Sequence, residues 1–423
     1  MRPSIAVLIF LASLFSRTTH ATDWGSNWSV SGFGTFGAAG TDSNALGFHR
    51  DRFEQQDVTR GWGITTDSRL GVQIDTDITQ RLHATVQFVA RDHVGNFWEQ
   101  NLEWAFLRWM PSDTLSIRLG RVGADVFVLS DYRNVGFTYP WMRPPHEFYG
   151  ALPIYHLDGI DLSQKFNFQN NLLTAKLFVG HTDTQMPADP VPASEITPAS
   201  TASVITIDAP SIGANLVYET SNWRLRLGYA FMHLLKGIDT QPLADILTNP
   251  LTNIFIPNIG SVAPHLAIQN TDLHYYSLGA HYDDGDWLAQ TEASYTNTQT
   301  VFFPDTFNSY VSLGRRFAKV TAYALYGIAY SFDHPVSIPE PVIDNPLVHQ
   351  LHQFVDTTIN HNGIHEQSVS LGLRWDVLPK VALKTQWTHY WFGTNGTRLW
   401  QTPANTQLPD ETNLWSVGVD FIF

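Results

Sequence analysis

The sequence predicts an all-β fold, a transmembrane antiparallel β-barrel of about sixteen strands with short turns at one end and long external loops at the other. Three observations carry that expectation. Segments of alternating apolar and polar residues recur from Trp28 to the final Phe423, the period-2 pattern of strands with two unlike faces. Short and long connections between them alternate, and the strand number is even, the signature of outer-membrane barrels. Aromatic residues make up 13% of the chain and charged residues only 15%, against a usual quarter for the latter, so the apolar faces belong on the outside. A soluble sandwich would leave many aromatic faces unburied, and nothing here repeats as propeller blades do.

The first 21 residues read as a secretory signal peptide. Met1-Arg2 gives a positive start, 5–15 is an apolar run too short to span a membrane, and Thr19-His20-Ala21 offers small residues for cleavage. Residues 22–423 then form the barrel. Loss of Arg2 and Arg17 takes the net charge from −14 to −16, which argues against a nucleic-acid partner. With no cysteine, a secreted chain must be held by hydrogen bonds and packing.

The first strand, from Trp28 to about Ala38, contains Gly32-x-Gly34-x-x-Gly37. That is formally the spacing of a dinucleotide-binding loop, but no strand precedes it and no helix follows, so it reads as a strand with small residues at close backbone contacts. The next strand sets Leu70, Val72 and Ile74 against Arg69, Gly71, Gln73 and Asp75. After a turn at 76–79, its partner sets Leu82, Ala84, Val86, Phe88 and Ala90 against Arg81, His83, Thr85, Gln87 and Arg91. Two such runs make a hairpin. Residues 102–109 and 115–120 follow; the first carries large apolar residues on both faces, which leaves its orientation open. Beyond residue 157 the unit returns as 159–167 with 172–181, 211–219 with 223–233, 272–282 with 287–296, 307–316 with 319–332, and 367–377 with 380–392. A last strand, 413–423, puts Trp415, Val417, Val419, Phe421 and Phe423 on one face and Ser416, Gly418 and Asp420 on the other. Long connections fall near 40–66, 92–100, 121–157, 183–210, 234–271, 297–306, 333–366 and 393–412.

The connection after the fifth strand stands apart. Residues 122–157 hold four prolines, several aromatics and a mixture of acids and arginines, with no sustained period. A loop this long is usually functional or disordered, and this one is too apolar to be disordered. Bounded by strands, it is expected to pack inside the barrel.

The layout of sixteen strands, the Leu119-Gly120-Arg121 ending of the fifth strand, the loop that follows it and the terminal Phe423 resemble the outer-membrane porin family of Gram-negative bacteria, in its sixteen-stranded trimeric type. The resemblance covers essentially the whole mature length and rests on layout. It implies that the third external loop, 122–157, bends into the lumen and narrows a water-filled channel for passive diffusion of small hydrophilic solutes, with no catalysis and no cofactor. It also implies a homotrimer in outer-membrane lipid and lipopolysaccharide. Trp415, Phe421 and Phe423 would then form the signal read by the barrel assembly machinery. The core Tyr139-Pro140-Trp141-Met142-Arg143-Pro144-Pro145 differs from the common version of the loop, and acids are few in it.

If the apolar face of each strand meets lipid, the other lines the pore. The basic wall candidates are Arg69, Arg81, Arg91, Arg118, Arg121, Arg224, Arg226, Arg316, Arg374 and Lys384; the loop supplies Asp125, Asp131, Tyr132, Arg133, Tyr139, Trp141, Arg143 and Glu147. A charge on the lipid face near mid-membrane costs roughly 2–4 kcal/mol, so interior placement is expected. Arginines facing loop acids would set a transverse field that sorts charged and dipolar solutes. The plainer alternative is that each pairs with a nearby acid such as Asp75 or Asp376. Loop aromatics (Phe127, Phe137, Phe148 and Tyr149 besides those named) would stack sugars or aromatic solutes, or simply anchor the loop. His349-x-x-His352 and His361-x-x-x-His365 have spacings that suit a metal, yet scattered loop histidines are the simpler account, and no metal site is assigned. Asp283-Asp284-Gly285-Asp286 reads as a tight turn. His83 and His281 could face the lumen, but no Gly-x-Ser-x-Gly or His-Glu-x-x-His motif supports an enzyme. A substrate-selective channel for anionic, sugar or aromatic solutes is the alternative, and a surface adhesin or receptor a third.

Overall fold

The computed structural model describes residues 27–152, 154–187, 204–236, 241–266, 270–298, 304–332, 336–360, 363–397, 399–401 and 409–423; the expected signal peptide and His361 lie outside them. Sixteen strands form the wall: β1 (Trp28–Thr41), β2 (Arg69–Thr79), β3 (Leu82–Ala90), β4 (Leu102–Trp109), β5 (Leu115–Gly123), β6 (His156–Phe168), β7 (Asn171–Pro187), β8 (Val204–Glu219), β9 (Trp223–Leu234), β10 (Thr271–Asp283), β11 (Trp287–Thr298), β12 (Thr306–Phe317), β13 (Val320–Ser331), β14 (Ile364–Leu378), β15 (Val381–Thr397) and β16 (Glu411–Ile422). Each pairs antiparallel with its sequence neighbours. β1 also pairs with β16, from Phe33 opposite Ile422 to Thr41 opposite Leu414. That seam closes the barrel and leaves no free edge. A three-residue strand, Gly61–Gly63, in the first long connection pairs beside the end of β1.

Alternation decides which way each side chain points. Along β9, Trp223, Leu225, Leu227 and Tyr229 point outward and are exposed, while Arg226 and Ala230 between them are buried inside. Along β12, Phe307, Val311, Leu313 and Phe317 face out, and Asn308 and Ser312 are buried within. The usual rule is inverted: the wall's buried residues are largely polar and its large exposed ones apolar. On β9 an aromatic stands at each end with two leucines between, the order of interface girdles around a hydrocarbon band. Such a surface is stable only in lipid. No helix among the described residues is long and apolar enough to cross a membrane.

The structure settles the orientation of β4: Leu107 and Trp109 are exposed on the outside, and Phe106 turns inward under the Arg118 guanidinium. It also extends and corrects the expected connections. The β7–β8 hairpin continues to Pro187 opposite Val204; its inward residues there, Thr182, Thr184, Ile207 and Ala209, are buried, so the polar-in, apolar-out alternation that marks a strand in sequence fades. Two connections expected as plain loops carry helices. Gln241–Thr248, Pro250–Phe255 and the 3-10 segment Ile259–Leu266 follow β9, and Pro346–Asn360 precedes β14. They share one apolar cluster in which Leu247, Ile256 and Ile259 meet Leu351, Val355 and Ile359. Asn249 caps the second of them by accepting from the Leu251 backbone N–H, with Pro250 opening the helix.

The connection between β5 and β6, residues 124–155, enters the lumen. It contains one 3-10 turn, Gly136–Thr138, and one helical turn, His146–Tyr149. Val126, Phe127, Leu129, Trp141, Phe148 and Tyr149 of this lumen loop share a buried cluster with Phe178, Met232, Tyr275, Tyr310 and Tyr323 of the wall.

Candidate functional site: the lumen and its folded loop

The loop is fastened to the wall at points spread round the barrel. Asp125 receives Arg226 of β9 (2.6 Å) and Lys176 of β7 (2.5 Å). The Val128 backbone N–H donates to Glu292 of β11 (2.7 Å), and the Trp141 indole to Ser312 of β12 (2.7 Å). The Met142 N–H donates to Gln386 of β15 (3.1 Å), and the Arg143 guanidinium reaches Ser416 of β16 (2.6 Å). Asn134 accepts from Arg69 of β2 (3.0 Å) and from Arg91 just past β3 (3.1 Å). His146 Nδ1 lies 3.2 Å from a carboxylate oxygen of Glu366 on β14. Each wall residue named is an inward polar side chain, and their strands are spread round the barrel, so alternation delivers a ring of partners.

One lysine and one arginine of the wall hold loop carbonyls while each pairs with a wall acid. Lys384 donates to the Gly136 and Trp141 carbonyls (2.6 and 2.7 Å) and pairs with Asp420 at 2.7 Å. Arg374 donates to the Phe137 and Tyr139 carbonyls (2.6 and 3.1 Å) and pairs with Asp376 (2.8 Å). Charge in the lumen is therefore matched locally, which is the pairing alternative for Arg374, Arg226, Arg118 with Asp161, Arg224 with Glu219 and Arg316 with Asp283. Asp75 instead accepts from Gln73 and Thr85. Arg224 and Arg316 stand beside the short turns and keep over a third of their side chains exposed, the freest of the inward cations named.

Two expected wall residues lie elsewhere. Arg81 sits in the β2–β3 turn, exposed, and donates to the Pro111 carbonyl of the next turn. Arg121 shares the outward parity of Leu119 and pairs with Asp158 opposite it (2.8 Å). Its guanidinium also donates to the Glu99 and Leu102 carbonyls (3.0 and 3.3 Å).

Within the loop, Arg133 is buried over the Tyr155 ring, 3.3 Å from its centroid, and donates to the Ile154 carbonyl. Tyr139 stacks on Trp141, and its hydroxyl donates to the Arg133 carbonyl (3.1 Å). Tyr132 packs against the aromatic cluster, and Asp131 keeps 40% of its side chain exposed, 3.9 Å from Lys176. Tyr149 donates to Glu292. Most loop aromatics thus serve as anchors.

Burial opposes charge on Asp125, yet Arg226 and Lys176 beside it hold its carboxyl well below the usual carboxylate range. Glu147 has no such cation: burial and then the facing Glu366 push its carboxyl up to about 7. Burial pushes His146 down to about 4, so its contact with Glu366 is a hydrogen bond to a neutral imidazole at pH 7.

The sequence named no site residue in the first long connection, near 40–66. Arg50 donates to the Tyr139 hydroxyl (3.0 Å) and the Arg133 carbonyl (3.3 Å). Asp67 receives Arg143 (2.9 Å from Nε), and Asp51 receives the Tyr155 hydroxyl. The run His49-Arg50-Asp51-Arg52-Phe53-Glu54 is a dense charge cluster in a chain poor in charge, and that was the available signal. His349 and His352 lie on one helix and contact Asp344 and Glu340 respectively, whereas His365 stacks on Tyr330. No group of metal-binding residues occurs among the described residues.

No protein-family model matches the chain, and no curated protein is significantly similar. Solved structures are. OmpF of Salmonella typhi, in complex with daunomycin, aligns at TM-score 0.51 and 11% identity over 94% of this chain and 97% of that one. The outer-membrane channel DcaP of Acinetobacter baumannii aligns at TM-score 0.50 and 9% identity over 96% and 99%. At such identities the likeness is one of fold. The chain is a closed antiparallel β-barrel of sixteen strands, with the fold of these outer-membrane proteins.

Proposed function

We propose that this barrel is a porin-like channel for passive diffusion of small hydrophilic solutes, constricted by residues 124–155. The observation that carries the reading is the fastening of that segment by Asp125, Trp141, Met142 and Arg143 to β9, β12, β15 and β16, which supports a narrowed lumen. The inward face is polar, as a water-filled passage requires. The reading includes no catalysis and no cofactor. With it go a cleaved signal peptide, a homotrimer, delivery by the barrel assembly machinery and a setting of lipid and lipopolysaccharide.

Single-channel recording of the refolded protein in a planar bilayer tests it. Conductance in triplets of equal steps, raised by deleting part of 132–148, is the expected result. Well-folded barrels without conductance would overturn the channel and leave an adhesin or receptor. The reversal potential in a salt gradient then reports whether Arg224 and Arg316 or the exposed Asp131 dominate selection. A substrate-selective channel is the second reading, favoured by how completely the loop is packed: Trp141, Met142, Phe148 and Arg143 are all buried.

A further inference from the structure

The lumen changes character along β8, β9 and β10. Toward the short turns their inward residues are polar, among them Asn215, Arg226 and Ser277. Toward the long connections they become Ile207, Ala209, Met232, Leu234, Leu273 and Tyr275, all buried and all pointing in. A water-filled barrel interior is ordinarily polar. An apolar stretch inside it is a local break with the rule that shapes the rest of the wall, and such breaks tend to mark functional sites.

Part of this surface seats the lumen loop, but the loop does not fill it. A cleft of about 80 Å³ remains on the side of the long connections, several times the space one water needs and enough to seat part of a small solute. Phe148, Leu152 and Ile154 of the lumen loop form its floor, and β8–β10 its apolar wall. The opposite wall is hydrogen-bonding and uncharged: Ser294, Thr296, Thr306 and Asn308. Arg52 is the one ionic side chain in the lining, and every other lining side chain is apolar or a neutral hydrogen-bonding group. Because the barrel wall encloses it, membrane lipid reaches only the other side of these strands. The occupant must arrive through the mouth and must fit.

We infer that this vestibule is a binding site for small, uncharged, water-soluble molecules with one apolar face and a hydroxyl on the other side, such as cyclic or aromatic alcohols. The inference rests on the channel reading and narrows it: the solutes held above the constriction are those that pair hydrocarbon against Met232 and Leu273 with a hydroxyl against Thr296 or Asn308. Sugars, with hydroxyls on every edge, lack the apolar face that this wall selects.

The test uses 4-bromobenzyl alcohol, with glucose as the comparison, on the full refolded chain. In bilayers, the bromo alcohol is expected to interrupt the current in a dose-dependent way while glucose at the same concentration does not. Ala209→Trp, which fills the cleft, is expected to raise the half-blocking concentration about tenfold. Met232→Thr serves in its place should that variant fail to fold. In soaked crystals the bromine is expected between Phe148 and Ala209. Equal block of wild type and variant, block by glucose as strong as by the alcohol, bromine only on the lipid face, or a cleft filled by residues 299–303 of the chain itself would each overturn the site. The two readings fail separately. Barrels that conduct but bind no bromo alcohol remove the vestibule site and keep the channel; barrels that never conduct but place bromine in the cleft do the reverse.

Discussion

Asp125 is the residue where loop and wall are most tightly joined. It takes both Arg226 and Lys176, and a buried and a half-buried cation around one acid leave little slack. Asp125→Asn keeps the shape and removes the charge, so Arg226, at 5% exposure, is left buried without its counter-ion. Breaking a buried pair from one side costs about 3 kcal/mol or more, and a lower urea midpoint for the refolded variant is the expected result. The reversal potential should also move toward anions, because two lumen cations lose their neutralising partner. An unchanged midpoint would mean that the pair is solvated. The second residue-scale prediction concerns pH. Glu147, raised to about 7 from its ordinary 4.5, binds more protons in the folded loop than in the unfolded chain, so it stabilises fully below about pH 4.5 and loses that effect as pH rises to 7. His146, lowered from 6.5 to about 4, binds fewer, so its contribution is present above 6.5 and is lost as pH falls to 4. Between 4.5 and 6.5 the two slopes oppose each other. Glu366 and Tyr390 face both groups and Arg143 stands beside His146, and these stay in place in either variant. Glu147→Gln should therefore uncover a loss of stability toward acid that wild type masks, and His146→Gln a loss toward neutral pH. Thermal melts across pH 4–8 would show the two variants tilting in opposite directions.

At the scale of elements, β5 shows what had to be true for the loop to turn inward. Gly120 has φ +129°, and a Cβ there would lie 2.3 Å from the Ala105 carbonyl oxygen of β4. Gly120→Ala should cost more than about 1 kcal/mol through the strained backbone alone and should lower the melting temperature without changing the outward face. A melt indistinguishable from wild type would show that β4 can retreat. The strands themselves were legible because one face meets lipid and the other does not, and alternation such as Trp223-Arg224-Leu225-Arg226-Leu227 survives any detail of packing. The ends of β7 and β8 were not, since the inward Thr182 and Thr184 of one strand and the inward Ile207 and Ala209 of the other are all buried, and no polar face is set against an apolar one. The helix Pro346–Asn360 left a trace, Leu351, Val355 and Ile359 at every fourth position, but its apolar face is covered by Leu247 and Ile256 from a connection some hundred positions away. The lumen loop was legible as a foreign element by its lost period, and Asp125, Trp141 and Arg143 by their chemistry. Their partners were not: Glu292, Ser312, Gln386 and Ser416 look in sequence like any other inward polar residue. What singles them out is register, fixed only when the barrel closes.

For the whole molecule the governing fact is that inside and outside have exchanged their usual chemistry, and this makes the same pair of residue types act differently on the two faces. Leu278, in the middle of β10, is 59% exposed on the outer surface and sits opposite Leu227 of β9. Leu278→Arg places a charge in hydrocarbon and should lower stability by about 2–4 kcal/mol, measured by reversible unfolding in lipid. It touches nothing in the lumen, so the conductance and reversal potential of the barrels that fold should match wild type. Arg226→Leu makes the opposite exchange one position from Leu227, on the inner face. It leaves the Asp125 carboxylate buried with Lys176 as its cation, leaves Asn215 as the remaining side-chain donor to the Asp125 carbonyl, and should lower stability by a comparable amount. Here, however, the reversal potential should shift toward cations, because an uncompensated acid now faces the constriction. Stability alone does not tell the two faces apart, but stability and selectivity together do. If Leu278→Arg changed selectivity as much as Arg226→Leu, the outward assignment of β10 would be wrong, and with it the inside-out design on which the closed sheet depends.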